Sequence, residues 1–132
     1  MPTHPIVGMY YRPPAQALVD TLPVGVRMIL RSDPNGETSG SRHNDETAIC
    51  VSLRSEDIPP ATLANEDFVQ ALSRYGTSLD DLLKEEEWHI GFLPKELAYE
   101  EHNSGFPQGQ DVEGIFTVSP NGKPRVRFER VS

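Results

Sequence analysis

The stretch RHNDETAICV, residues 42–51, brings together a histidine, two carboxylates and the chain's only cysteine. Residues of these types could form a Cys–His nucleophilic pair, which needs thiol and imidazole within hydrogen-bond reach and a third group orienting the base. They could also supply half of a metal site. Cys50 lies inside the apolar run AICV, where a small thiol serves as a core residue, so the nucleophile is not supported. The histidines His4, His43, His89 and His102 have neither the i,i+4 spacing of a helical metal pair nor cysteines paired with them. No metal and no cofactor are therefore expected. Neither GxGxxG nor GxxxxGK[ST] occurs, which leaves no loop of those types to cradle a nucleotide phosphate. The run KEEEWH and the DD and EE pairs read as solvated helix faces rather than as general acids and bases. Nothing points to catalysis by the chain itself.

A different chemistry is carried by aromatic and basic residues that recur together. Tyr10, Tyr11 and Arg12 are adjacent, Phe92 is followed closely by Lys95, and Arg125, Arg127, Phe128 and Arg130 crowd the last expected strand. Aromatic rings on a small barrel, rimmed by Arg and Lys, suit the stacking of bases with phosphates held alongside. Tyrosine and phenylalanine on strands equally serve a core.

Positioning these residues falls to short elements. Strands are expected at 6–11, 26–31, 47–53 and 88–93, followed by a hairpin over 111–131 with Asn121-Gly122 at its tip. In 26–31, Val26, Met28 and Leu30 alternate with Arg27, Ile29 and Arg31, the pattern of a half-buried strand. Residues 48–51 are apolar on both faces and suit a central strand. Helices are expected at 15–22, 65–75, 78–87 and 94–102, with Asn65 and Ser78 as caps and Pro94 at a first position. Residues 32–46 read as loop. The fold class is mainly β (α+β): a six-stranded small barrel of OB-like or SH3-like type with two to four short helices.

The 132 residues suffice for one domain with a single core, and no apolar run reaches the ~18–20 residues of a membrane span. The N-terminal residues lack the pattern of a signal peptide, and a single cysteine fits a reducing, cytoplasmic setting. A formal net charge of -8 argues against nucleic acid, yet residues 55–103 hold twelve of the acidic groups against three basic ones. The two ends are mildly basic and could share a surface that the acidic middle avoids.

Three of these stretches, IVGMYYRPP (6–14), RHNDETAICV (42–51) and HIGFLPKELA (89–98), in that order, resemble the signature of the HIRAN domain; DVEGIFTV (111–118) is similar to its fifth strand. The resemblance spans residues 1–132 as a single domain, apart from an acidic helical insertion at about 55–87, and suggests a stand-alone bacterial or phage member. It implies a six-stranded barrel related to the oligonucleotide-binding fold that binds single-stranded DNA and captures a free 3′-hydroxyl end. Helicase-like ATPases, or a nuclease, are the partner enzymes it implies.

By the same resemblance Tyr11 matches a base-stacking tyrosine. Tyr10 stands where the family has an arginine, with Arg12 adjacent. Asp45 matches the aspartate that accepts a hydrogen bond from the 3′-hydroxyl, a role for which an acceptor-only carboxylate is suited. Asn44 replaces a second stacking tyrosine and so removes aromatic surface. Lys95 matches the lysine of the PKELA turn, a phosphate contact, and Phe92 and Phe128 are further candidates for the platform. Binding is expected to be micromolar or weaker, given Asn44 and the acidic middle. The alternative expectation is a protein-interaction module that docks a DNA-processing partner through the acidic helices.

Overall fold

The computed structural model describes residues 3–9, 13–33 and 47–128. In chain order the elements are β1 (Thr3–Pro5), α1 (Pro13–Thr21), β2 (Arg27–Ser32), β3 (Ile49–Arg54), α2 (Pro60–Leu63), α3 (Glu66–Arg74), α4 (Leu79–Lys84), β4 (Glu87–Phe92), α5 (Lys95–Asn103), β5 (Val112–Val118) and β6 (Pro124–Phe128). The strands form one antiparallel sheet in the order β1-β6-β5-β2-β3-β4, curled into a half-barrel. Antiparallel neighbours need only short connections, which is why so small a chain can hold six strands.

Burial follows sequence pattern along most of the sheet. From Ile49 to Leu53 every residue of β3 is buried, as a central strand covered on both faces requires. β5 alternates Val112, Gly114 and Phe116 inward against Glu113, Ile115 and Thr117. The alternation expected for β2 fails at one position. Ile29 is as buried as Met28 and Leu30, so the sheet's second face is covered at the middle of this strand too. The hairpin forms as expected, with Gly122 at φ 79° and its amide donating to the Ser119 carbonyl at 2.8 Å.

The first strand needs correction. Extended pairing starts earlier than residue 6, with Thr3–Pro5 on β6, and the chain then crosses to the opposite edge of the sheet. Ile6 N–H donates to the Pro124 carbonyl at 3.2 Å, while Val7 and Phe92 exchange two backbone hydrogen bonds of 2.8 Å each. Gly8, at φ 86°, ends the extended run directly after that bridge, a conformation that residues with a Cβ avoid.

The acidic segment packs into the same core. Asn65 caps α3 by accepting from the amides of Asp67 and Phe68 at 3.0 and 3.2 Å, which satisfies two donors that the first turn leaves open. Phe68 and Leu72 then face inward with Ile58 and Leu82, and the Phe68 ring meets Trp88 of β4 edge-on at 6.0 Å. Burying a phenylalanine of this kind contributes about 1.5–3 kcal/mol. The charges of α3 and α4 are left on the outside, as the solvated-face reading required. No helix is long and apolar enough to cross a membrane, among the described residues.

Candidate nucleic-acid interface

Lys95 is exposed at the first position of α5, behind Pro94, whose fixed φ suits a helix start but which offers no side chain to cap it. The amides of the first turn are therefore left for another acceptor. Helix polarity favours an anion here, and a lysine at this point adds to the attraction. Glu96 in the same turn opposes it.

Phe92 ends β4 three residues earlier and is half-buried. Its ring and that of His89 meet edge-on with centroids 4.9 Å apart, and Gly8 lies against it as well. Phe128 belongs to the core instead. Its ring is 4% exposed and is packed against His4 and Phe106 at centroid distances of 5.1 and 6.2 Å, so no base can lie on it. As a platform residue it is withdrawn. Arg125 is engaged by Thr3, donating to its hydroxyl at 2.7 Å and its carbonyl at 2.8 Å, whereas Arg127 is exposed on the same strand.

Tyr10, Tyr11, Arg12, Asn44 and Asp45 lie outside the described residues. Described residues near them in the chain meet one another. Val7 is bridged to Phe92, the Leu93 amide donates to the Ile49 carbonyl at 3.0 Å, and the Asp33 amide donates to the Ala48 carbonyl at 2.8 Å. Val7, Ile49, Phe92 and Leu93 therefore converge at the last residues of β4. Gly91 permits this approach: a Cβ there would sit 2.4 Å from the Val7 carbonyl oxygen.

Cys50 is fully buried on β3, opposite Arg31 and Phe92 in the sheet register. Burial, aided by the charge of Asp33, pushes its thiol pKa up to about 12, the reverse of what a nucleophile needs. His43 lies outside the described residues. Among the described residues no group of three His, Cys, Asp or Glu side chains is arranged to hold a metal ion.

Two polar clusters were not foreseen. Arg31 donates through Nε to Asp111 at 2.7 Å and through its two Nη atoms to Glu87 at 2.7 and 2.8 Å. His4 and Glu101, both buried, approach to 3.6 Å between β1 and α5. These partners are 56, 80 and 97 positions apart in the chain, and no local spacing announces them. A buried acid such as Glu101 in a surface-like helix pattern is visible only once β1 has been placed.

Comparison with known proteins found no matching family model, no matching curated protein and no matching solved structure.

Proposed function

We propose that the chain is a non-catalytic module that binds single-stranded DNA at a free 3′-hydroxyl end, on a small barrel of OB-like or SH3-like type. The observation that supports this reading is the meeting of Val7, Ile49, Phe92 and Leu93 at the end of β4. They belong to the three stretches that resemble the HIRAN signature, far apart in sequence and adjacent in the fold. In this reading Tyr11 stacks on a terminal base, Asp45 accepts from the 3′-hydroxyl, and Lys95 with the open first turn of α5 holds a phosphate. Arg12 contributes a second cation, and Phe92 lends its half-buried ring. A helicase-type ATPase or a nuclease is the partner that such an end-binding module would serve, in the cytoplasm.

Fluorescence anisotropy with one labelled oligonucleotide, ending in a 3′-hydroxyl or a 3′-phosphate, tests the reading. The hydroxyl end should bind more tightly, because the carboxylate of Asp45 repels a phosphate. Asp45→Ala should abolish that preference, while Tyr11→Ala should weaken both ends alike by about 1–3 kcal/mol. Equal and negligible binding of both ends would overturn the proposal.

A further inference from the structure

We infer that the groove between α1 and α3 is a docking site for a basic peptide segment of a partner protein. The inference does not depend on the DNA reading. The groove has a volume of about 500 Å³ and is open to solvent, with Pro13, Ala17 and Ala71 supplying its apolar floor. Asp20 rises from the α1 wall, and Asp67 and Arg74 from the α3 wall.

Its charge is unevenly placed. Thr62, just ahead of α3, donates from its hydroxyl to the carbonyl of Thr21 at the end of α1, at 3.2 Å. The end of α1 thus lies beside the start of α3, which sets Asp20 and Asp67 toward one end of the groove and Arg74 toward the other. Asp20 accepts a hydrogen bond of 2.9 Å from Gln16, a neutral partner on its own helix. Among the described residues no cation pairs with Asp20 or Asp67 in an ion pair. Two uncompensated carboxylates on facing walls, over an apolar floor, complement a lysine or arginine whose stem lies along the alanines.

The surroundings select the same partner. Glu66 is exposed next to Asp67, and Asp80, Asp81, Glu85 and Glu86 are exposed further along, so the segment that supplies the α3 wall is strongly acidic. Its field attracts a cationic chain and repels nucleic acid. The occupant is therefore a segment with at least two Lys or Arg residues, their aliphatic stems lying along Ala17 and Ala71.

The test uses the full chain and a twelve-residue fluorescent peptide of lysines and leucines at i,i+3 and i,i+4 spacing, with a glutamate-for-lysine peptide as control. Anisotropy should show binding of the lysine peptide alone, and amide shifts on binding should centre on Gln16, Ala17, Asp67 and Ala71. The double variant Asp20→Asn, Asp67→Asn should weaken binding about fivefold, the effect of losing two partly exposed ion pairs. Asp80→Asn with Asp81→Asn, an equal charge change on α4, should weaken it by less than twofold. Circular dichroism of both double variants checks that the helices persist. Equal weakening by the two double variants would reduce the effect to general attraction by the acidic side and overturn the inference. So would shifts centred away from the groove, or no binding by the lysine peptide.

Discussion

The guanidinium of Arg31 divides its donors between carboxylates lying on either side of β2. Asp111, at the entrance to β5, takes Nε, and Glu87, reached across β3 at the start of β4, takes both Nη atoms. Arg54 adds a weaker contact to Asp111 at 3.9 Å. The hydrogen bond from Arg31 is the main reason that the Asp111 carboxyl is held below its ordinary pKa, and the same bonds raise the pKa of Arg31. A depressed carboxylate pKa stabilises the fold above the unfolded value of about 3.9, and that contribution disappears as the pH falls through the lower folded value. Because the cluster is partly exposed, Arg31→Ala should destabilise the protein by only about 1–2 kcal/mol at neutral pH. Urea titrations should show the gap between the two proteins narrowing once the pH drops below about 4; a gap that stays constant would refute the assignment. Cys50 permits a simpler measurement at the same scale. With its thiol buried and its pKa raised to about 12, iodoacetamide at pH 8 should modify it only as fast as the protein unfolds. Rapid labelling of the folded chain would show that β3 is open to solvent.

Among the elements, the segment Thr3–Val7 has the least usual task, since it pairs with β6 as the strand at one end of the sheet order and then bridges to β4 at the other end. That crossing depends on a residue in another strand. A methyl group at Gly91 would meet the Val7 carbonyl oxygen at 2.4 Å and the Ile6 side chain at 3.1 Å, so Gly91→Ala must push the N-terminal segment off β4. Losing the bridge together with the packing of Ile6 should lower stability by about 2–4 kcal/mol. Amide exchange at Val7 and Phe92 should accelerate more than at Ile115 and Arg127, which pair within the β5–β6 hairpin. Uniform acceleration would mean that the crossing is not a separate structural unit. The IVGMYY run shows why sequence locates such a segment imprecisely: its composition favours extended chain throughout, but the turn is fixed by Gly8 and by a partner strand some 85 residues later. By contrast β3, the β5–β6 hairpin and the capped helix α3 were legible, because their signals are local: an apolar run, an Asn-Gly tip, and an Asn ahead of two acids. Ile29 and Phe128 were misjudged for the opposite reason, since alternation and an exposed-looking strand end cannot reveal what covers them.

For the molecule as a whole, the strongest objection to DNA binding is the net charge of -8, and its distribution carries the reply. Helices α3 and α4 hold four of the acids on their own, with Glu85 and Glu86 just beyond, whereas α5 begins with the exposed Lys95 shortly after the residues where the three stretches meet. Long-range repulsion from the acidic side is screened beyond about 8 Å at physiological salt, so a strand held at the end of β4 feels chiefly its immediate cations. Few phosphates can then be neutralised, and affinity should fall only gently with added salt. Each phosphate contact with single-stranded DNA steepens the plot of log K against log salt by about 0.7, so two or three contacts give a slope of about -1.4 to -2.1. On the 3′-end reading, Lys95→Gln should make the slope shallower by about 0.7 and weaken binding across all sequences alike. Asp20→Asn with Asp67→Asn should leave the slope unchanged, because those carboxylates belong to the α1–α3 groove and touch no phosphate. A slope that Lys95→Gln does not alter would remove the lysine from the interface. A slope that rises as the groove carboxylates are neutralised would mean that DNA lies across the acidic side after all.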